Sequence, residues 1–361
     1  MIILKVIFYI ISYVVAYPNI VLNWINIRIK KKHLKFDVIK THSHFENGKF
    51  VIIAVYAGTG TYSSLKRQIE LFERYEYNIL VILNDNKRSR NWANNLINLN
   101  CSIIHRKNIG ADFGAYKLGI KYLYDRYREC ISEIVLANDS LFYTPTSING
   151  LRRFLEPGSQ MNCLFYHTQS VRHAGSMLIK FDFSSINQNI FWQFWKKYYP
   201  YATKLQVVRK GEHMLSKSIG HEYFKPLVTL NEIDLIFKDM NISEIIQAQI
   251  WAKRSSTAIY EQINLAVKFS DYRRILHLSL FNLQISNSMG LWISRNLDLP
   301  FKLDLPQVGL CSISDLLKLA EDQECPKDEL EELQALLKIR PNVTEGSYLT
   351  NSLKVFGLGR A

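Results

Sequence analysis

The chain has 361 residues, of which 48% are hydrophobic and 21% charged, a composition typical of a folded protein rather than a disordered one. Its formal net charge of +13 favours an anionic partner, although a merely basic surface is an alternative. No zinc-finger, RNP or P-loop motif is present, so we expect no nucleic-acid partner. The five cysteines include no CxxC pair, which indicates reduced thiols rather than a disulfide framework or a metal site.

The N-terminal segment predicts association with a membrane. Val6–Tyr17 is apolar but shorter than the roughly 20 residues that a spanning helix needs. A narrow polar stripe on an apolar helix follows, and then a lysine cluster at Lys30–Lys32. This pattern is typical of a helix that lies in a membrane surface. Packing of Met1–Ile29 on the protein's own core or on a partner remains an alternative, as does a true span through Met1–Leu22.

Apolar runs alternate with amphipathic stretches between residues 50 and 137, which predicts an α/β fold with a doubly wound, mostly parallel sheet. The predicted strands are Phe50–Val55, Asn78–Leu83, Cys101–His105 and Glu133–Ala137. The predicted helices are Ser63–Tyr75, Ser89–Leu99, Ala115–Tyr127, Ser243–Ala252, Thr257–Phe281, Cys311–Leu319 and Lys327–Lys338. An aromatic cluster over Phe191–Tyr199 is expected to be core, with stacking on an acceptor sugar as the less favoured alternative.

Carboxylates follow three of the predicted strands, at Asp85, Asp112 and Asp139. In open α/β sheets, ligands bind in the crevice outside the carboxyl ends of the strands. One carboxylate per strand end suits a nucleotide diphosphate, because one can hydrogen-bond base or ribose and another can hold a divalent ion that bridges the phosphates. Taken singly, each aspartate could instead be a turn or capping residue, and Asp112 could be the N-cap of the following helix.

Two segments, Lys107–Gly119 (KNIGADFGAYKLG) and Leu136–Pro145 (LANDSLFYTP), carry a family resemblance. They resemble the rhamnan-synthesis F family of bacterial glycosyltransferases, which are similar to GT-A enzymes. The resemblance covers roughly residues 50–305 and continues in Phe165–Ser170, Gly211–Ser216, Asn287–Trp292 and Leu299–Lys302.

The resemblance implies transfer of rhamnose from a nucleotide-diphosphate sugar, with dTDP-rhamnose as the expected donor, to a lipid-linked glycan in cell-surface polysaccharide synthesis. It places the protein at the cytoplasmic face of the bacterial inner membrane, peripheral or monotopic. We therefore expect an N-terminal membrane-associating helical segment (residues 1–45), a GT-A-like catalytic domain (46–235) and a helical C-terminal region on the acceptor side (236–361). The same fold with another nucleotide sugar, or an inactive scaffold subunit of a polysaccharide assembly complex, are alternatives.

The resemblance also assigns site residues. The implied donor-binding residues are Tyr56, Asp85, Asn108, Gly110, Asp112, Lys117, Asn138 and Lys302. Asp139 would take the place of the metal-coordinating acid of GT-A enzymes and hold Mg²⁺ or Mn²⁺. Because Ala137-Asn138-Asp139 offers one carboxylate where a D-x-D motif has two, metal dependence stays open.

The motif around Glu212 implies a catalytic base for an inverting displacement. The acceptor hydroxyl must lose its proton as it attacks the anomeric carbon, and a carboxylate within hydrogen-bond reach can accept that proton. Glu212 could instead be a surface residue in the first turn of its helix. His167 and His173 could bind metal or phosphate, but we expect a structural role for them.

Overall fold

The computed structural model describes residues 35–41, 48–57, 60–85, 89–156, 158–167, 171–201, 204–229, 290–306 and 311–339, together with Val21, Ile25 and Ser286. The predicted N-terminal membrane helix (apart from Val21 and Ile25) and the predicted helices Ser243–Ala252 and Thr257–Phe281 lie outside these residues. Within the described part of the chain, no helix is long and apolar enough to cross a bilayer.

The strands in chain order are β1 (Phe36–Lys40), β2 (Lys49–Val55), β3 (Asn78–Asn84), β4 (Ser102–Arg106), β5 (Glu133–Asn138), β6 (Leu141–Phe142), β7 (Tyr166–His167), β8 (His173–Ala174), β9 (Leu178–Asp182) and β10 (Phe301–Lys302). Six of them form the central sheet in the order β1-β4-β3-β2-β5-β9. The four inner strands run parallel, and the edge strands β1 and β9 are antiparallel to their neighbours. The prediction of a mostly parallel α/β sheet is confirmed.

The helices are α1 (Tyr62–Arg74), α2 (Ser89–Leu96), α3 (Ala111–Tyr127), α4 (Ser147–Gly150), α5 (Arg152–Leu155), α6 (Gln188–Lys197), α7 (Lys204–Val207), α8 (His213–Ile219), α9 (Gly290–Leu297), α10 (Ile313–Asp322) and α11 (Lys327–Ile339). A π-helical turn, Val208–Glu212, joins α7 to α8. Short 3₁₀ turns occur at Arg128–Cys130 and His221–Tyr223.

Hydrophobic cores lie on the two faces of the sheet. Along β2, Val51 and Ile53 belong to the core that also contains residues of α1 and α2, whereas Ile52 and Ala54 belong to the core that contains residues of α3 and α6. This alternation is the period of two that strand geometry imposes. Burial on both faces explains why the inner strands are continuous apolar runs in the sequence.

The N-terminal boundary of the sheet differs from the prediction. Phe36–Lys40 lies within the predicted helical segment 1–45, but it forms the edge strand β1. Only one side of an edge strand is hydrogen-bonded to the sheet, and Val38 and Ile39 are 44% and 39% exposed. The segment therefore lacks the buried apolar run by which the inner strands were recognised.

Helix α3 begins at Ala111, four residues earlier than predicted. The predicted helix left Gly110 and Gly114 outside its start at Ala115, but Gly110 is the N-cap at φ 82° and Gly114 lies in the first turn. A Cβ on Gly114 would lie 2.0 Å from the carbonyl oxygen of Ile109, so the glycine is required by the close approach of the loop to the helix. Asp112 is consequently a helical residue and not the N-cap.

Residues of the C-terminal region pack at the start of α1. Glu332 accepts hydrogen bonds from the backbone N–H groups of Tyr62 (2.6 Å) and Ser63 (3.2 Å). A carboxylate there satisfies donors that the first helical turn leaves unpaired and also favours the helix dipole. Arg67 adds a bidentate pair with Glu329 at 2.6 Å. These contacts attach α11 beside the carboxyl edge of the sheet, because α1 begins where β2 ends.

The close approach of Gly114 to Ile109 leads to a prediction about the free energy of unfolding. Alanine is a better helix former than glycine by about 1 kcal/mol, but here its methyl group would displace the Ile109 backbone. We expect Gly114→Ala to lower the free energy of unfolding by about 1–3 kcal/mol, measured by urea denaturation. Gly290→Ala is the control, because its Cβ would meet Leu305 at an ordinary 3.4 Å. Equal stability of Gly114→Ala and wild type would contradict the prediction.

Candidate active site

The chain reverses its direction of winding between β2 and β5. From β2 it continues through β3 to β4 on one side, and then crosses to β5 on the other. Such a switch point is where an open α/β sheet leaves a crevice for ligands. Tyr56 follows β2 and Asp139 follows β5, and the backbone N–H of Tyr56 donates to the Asp139 carboxylate at 2.6 Å. Two predicted site residues therefore meet at this point.

Asp112 lies at the centre of a polar cluster next to the switch point. Its Oδ1 accepts from the backbone N–H of Phe113 at 2.9 Å. Its Oδ2 accepts from the side-chain amide of Asn138 at 3.3 Å and lies 3.4 Å from the hydroxyl of Ser176. The loop between β4 and α3 adds Asn108, whose side chain accepts from the Tyr56 hydroxyl at 2.8 Å. The carboxyl ends of β2, β4 and β5 thus contribute to one cluster.

Glu212, the last residue of the π-helical turn, also belongs to this cluster. Its Oε1 accepts a 2.5 Å hydrogen bond from the Ser176 hydroxyl, so that one hydroxyl lies between the carboxylates of Glu212 and Asp112. Glu212 is not the surface residue of the alternative interpretation, because its side chain is only 15% exposed. Gly211 allows the turn to approach the sheet, since a Cβ there would lie 2.7 Å from the ring of Phe113.

His173 lies against Glu212, and its hydrogen bond to the backbone sets which ring nitrogen carries the proton. Its Nδ1 is 2.8 Å from the carbonyl oxygen of Val171, which can only accept, so Nδ1 carries the proton. In the neutral ring, Nε2 then presents a lone pair 3.5 Å from Oε2 of Glu212. Burial, opposed by the hydrogen bond to Val171, lowers the pKa of His173, so the uncharged ring is favoured next to Glu212.

Further imidazole rings extend from His173. The ring centroids of His167 and His213 lie 4.9 Å and 4.4 Å from that of His173. Burial, followed by the neighbouring His173, Lys302 and His213, lowers the pKa of His167 to about 3. Burial, followed by His173 and Arg209, lowers the pKa of His213 to about 4. These two rings are uncharged at neutral pH.

Burial shifts the pKa values of groups around the cluster, and for Tyr116 the negative charge of the cluster adds to the shift. The pKa of Tyr116 is raised well above its ordinary value, first by burial and then by Asp112, Glu212 and Asp139. Burial, opposed by the nearby Tyr56, lowers the pKa of Arg106 to about 10, which leaves its guanidinium charged at neutral pH. Arg106 is buried and donates to the carbonyl of Ile109, so it supports the loop that carries Asn108.

Three of the predicted donor-binding residues make other contacts. Asp85 follows β3, but its side chain is 57% exposed and lies 3.5 Å from His105. Lys117 donates to the backbone carbonyl of Tyr198 at the end of α6. A Cβ on Gly110 would lie 2.5 Å from Cβ of Pro200, so the close approach at this glycine is to the protein itself.

Lys302 is brought to the cluster by the ribbon of β6 and β10. Phe301 stacks on Phe142 at 5.1 Å, and Lys302 forms an ion pair with Asp304 at 3.5 Å. Lys302 pairs with Leu141 in this ribbon, and the next residue, Leu303, donates its backbone N–H to the carbonyl of Ser140 at 3.0 Å, beside Asp139. A segment far along the chain therefore supplies a cation at the edge of the cluster.

Among the described residues, no group of three or more His, Cys, Asp or Glu side chains is arranged to hold a metal ion. The carboxylate of Asp139 accepts the backbone hydrogen bond from Tyr56. A divalent ion at Asp139 stays a prediction, and no step of the mechanism below passes through one.

No family model matches the chain. The chain is similar to the uncharacterized protein y4gN of Sinorhizobium fredii, with 28% identity over 202 residues. The match covers 54% of this chain and 52% of that protein, so the chain spans about half the length of the curated relative it matches. The name of this relative states no activity.

Ser176 and Arg106 were missed by the sequence analysis. Ser176 stands in a turn between two short strands, and no motif distinguishes it from other loop serines. Arg106 could have been found, because a charged residue that ends a buried strand must have a partner or a function. The role of Ser176 depends on the fold, which brings β8, α3 and the π-helical turn together.

The lowered pKa of His167 makes stability depend on pH. An unfolded histidine takes up a proton near pH 6.5 and the buried ring does not, so stability is complete above pH 6.5 and falls as the pH decreases toward 3. Between pH 7 and pH 5, we expect this histidine to account for a loss of about 2 kcal/mol in the free energy of unfolding. In His167→Gln the loss between these pH values should be smaller by about that amount, measured by urea denaturation. An identical pH dependence in the two proteins would contradict the prediction.

Proposed function

We propose that the protein is a glycosyltransferase that moves a sugar from a nucleotide diphosphate to a lipid-linked glycan, with dTDP-rhamnose as the preferred donor. The cytoplasmic face of the bacterial inner membrane is the proposed place of action. One observation carries the proposal: Asp112, Asn138, Asp139 and Glu212 converge at the switch point of the sheet, where nucleotide-binding α/β folds hold their ligands. The resemblance of the segments that carry these residues to the rhamnan-synthesis F family supports the same conclusion.

The donor lies along the carboxyl edge in this proposal. Tyr56 and Asn108 contact the nucleoside, and Asp112 with Asn138 hydrogen-bonds the hydroxyls of the sugar. The departing diphosphate develops negative charge, and a positioned cation stabilises that charge most where water is excluded. Lys302 is the residue proposed for this role, since it pairs with Leu141 in the ribbon that follows the end of β5.

Glu212 is the proposed base. The acceptor hydroxyl gives its proton to the carboxylate while its oxygen forms the bond to the anomeric carbon. The bond from that carbon to the diphosphate oxygen breaks on the opposite face, and the nucleotide diphosphate leaves with the electron pair. Configuration is therefore inverted. Ser176 orients Glu212 through the hydrogen bond to Oε1, and His173 lies 3.5 Å from the other carboxylate oxygen.

The inactive scaffold subunit remains the second candidate. The observation in its favour is that Ala137-Asn138-Asp139 offers one carboxylate where a D-x-D motif has two, and that this carboxylate already accepts the backbone hydrogen bond from Tyr56. A scaffold would keep these polar contacts for stability and bind no donor. The donor-binding experiment separates the two candidates.

Donor binding is tested by thermal unfolding of the full chain with a panel of nucleotide sugars, with and without Mg²⁺ or Mn²⁺. A ligand at 100 times its dissociation constant stabilises the folded state by about 2.7 kcal/mol, which is a shift of several degrees. We expect the largest shift with a dTDP sugar and a smaller metal-dependent part of that shift in Asp139→Asn. No shift with any member of the panel would favour the scaffold. An unchanged metal response in Asp139→Asn would remove Asp139 as the metal ligand.

The role of Glu212 is tested by Glu212→Gln, which keeps the size and the hydrogen bond from Ser176 but removes the basic oxygen. We expect transfer to fall by at least about a hundredfold, as is typical for loss of a general base, while the donor-induced thermal shift is retained. Glu70→Gln is the control, since Glu70 is half exposed on α1. Turnover of Glu212→Gln at the wild-type rate would exclude Glu212 as the base.

A further inference from the structure

Arg106, the last residue of β4, is a buried cation with few partners. It is 2% exposed, and one nitrogen of its guanidinium, Nη2, donates to the carbonyl of Ile109. Among the described residues, its Nε and Nη1 atoms have no hydrogen-bond partner. Burial, opposed by Tyr56 and by no described carboxylate, lowers the pKa of Arg106 to about 10, so the group stays charged. A buried charge without partners is unfavourable, and the proposed transfer does not use this residue.

An unpaired acceptor lies on the neighbouring strand. Asn84 ends β3 and is the parallel partner of Arg106, so the two side chains lie on the same face of the sheet. The side-chain amide of Asn84 donates to the carbonyl of Val55 at 3.2 Å, but its Oδ1 atom has no partner within the described part of the chain. Buried polar atoms without partners are rare in native proteins. An acceptor beside a cation suits a ligand that carries a hydroxyl group near an anionic group, as a nucleotide does.

The loop that Arg106 contacts, between β4 and α3, has an unfavourable backbone conformation. Gly110 and Ala111 have φ angles of 82° and 51°, both in the left-handed region. Glycine tolerates this region, whereas the Cβ of alanine makes it unfavourable. Nη1 of Arg106 lies 3.1 Å from the position that a Cβ on Gly114 would take, so the guanidinium is held between the loop and the first turn of α3. Backbone strain of this kind is typical of ligand clamps and switch regions.

We propose that Arg106 is an anion switch, whose guanidinium exchanges the carbonyl of Ile109 for a phosphate group of the nucleotide donor when the loop opens. The proposal rests on the proposed transferase function and assigns a regulated step to the same site. Arg106 stands two residues before Asn108, which accepts from Tyr56 and contacts the nucleoside in that function. Because Nε and Nη1 are buried, a phosphate reaches them only when the loop moves. Arg106 thus binds the donor from the side of β4, whereas Lys302 lies in the ribbon that follows β5.

A buried water is the alternative partner for the unpaired nitrogens. A water accepts hydrogen bonds from a guanidinium but leaves its positive charge unneutralised. A phosphate neutralises the charge, and the planar guanidinium pairs with two phosphate oxygens at once. An arginine that only binds water should not respond to pyrophosphate, so pyrophosphate is the probe that separates the two partners.

Arg106→Met tests the unneutralised charge by thermal unfolding of the full chain. Methionine is long, flexible and uncharged, and replacing a buried ion by an apolar side chain is often neutral or stabilising. Without added ligand, we therefore expect the unfolding midpoint of Arg106→Met to equal or exceed that of wild type. Pyrophosphate should raise the midpoint of wild type by several degrees and leave that of Arg106→Met unchanged. Arg74→Met, at an exposed arginine in the last turn of α1, is the control and should respond as wild type does.

Titration calorimetry at constant ionic strength measures the affinities, with pyrophosphate, thymidine diphosphate and thymidine as probes. We expect Arg106→Met to weaken binding of the two diphosphates at least about tenfold and to leave that of thymidine unchanged. Arg106→Lys keeps the charge but not the planar fork, so it should weaken the diphosphates about tenfold even if Arg106→Met does not fold. Tighter binding of thymidine diphosphate than of pyrophosphate assigns the phosphate to the donor, and equal binding assigns it to a free phosphate.

Hydrogen exchange tests the movement of the loop. We expect pyrophosphate to change the exchange rates of the backbone amides of residues 108–111 in wild type and not in Arg106→Met. Unchanged rates in wild type at a saturating concentration of pyrophosphate would contradict the opening of the loop.

The outcomes separate this proposal from the proposed function. Wild type that binds neither diphosphate, or equal diphosphate affinity of wild type and both Arg106 variants, would overturn the anion switch. An unfolding midpoint of Arg106→Met several degrees below that of wild type would overturn it as well, because it indicates a structural arginine. If nucleotide sugars stabilise wild type and Arg106→Met equally, the transferase stands without the switch. If pyrophosphate binds through Arg106 while no nucleotide sugar stabilises the protein, the transferase fails and the anion site stands.

Discussion

The candidate site depends on the double link that Asp139 makes between β5 and β2. Its backbone N–H donates to the carbonyl of Ala54 at 3.2 Å, and its carboxylate accepts from the N–H of Tyr56 at 2.6 Å. These bonds satisfy buried backbone groups just where the parallel pairing of the two strands ends, and leaving such groups unpaired would cost about 1–3 kcal/mol each. The hydroxyl of the same Tyr56 donates to the side chain of Asn108 at 2.8 Å. The order of the whole carboxyl edge follows from this link.

The negative charge of the cluster is stabilised by groups within the cluster rather than by the basic residues of the protein surface. Asp112, Asp139 and Glu212 bring negative charge into a region where Asn138 and Ser176 are almost fully buried. Hydrogen bonds from amide, hydroxyl and backbone groups stabilise the carboxylates, and buried charges without such partners are costly. His167 and His213 are neutral at physiological pH, so they shape the site without adding a competing cation. The polar contacts therefore form a preorganised site before any ligand binds.

The inner strands of the sheet and most residues of the cluster could be predicted from the sequence. Features that depend on packing between distant segments could not. Each inner strand is buried on both faces, so it is recognisable as a continuous apolar run in the sequence. Because these strands are parallel, Tyr56, Asn108 and Asn138 lie at the same edge of the sheet. The edge strand β1 has no such run, and its pairing with β4 decides its conformation. Asp85 was grouped with the site because it ends a strand, but its side chain points to solvent beside His105. Ser176 could not be predicted as a site residue, since its position depends on contacts between segments that are distant in the chain.

The π-helical turn at Val208–Glu212 changes how this part of the chain can be compared with relatives. A π turn contains one residue more than the α-helical turn it replaces, so it is equivalent to a single-residue insertion within the helix. Residues before the turn and residues after it, such as His213, follow helical wheels that are offset by about 100°. An ungapped alignment through this helix would assign Glu212 to the wrong partner residue in a protein that lacks the insertion. In this chain the extra residue of the turn determines which positions of α8 lie on the same side as the inward-facing carboxylate.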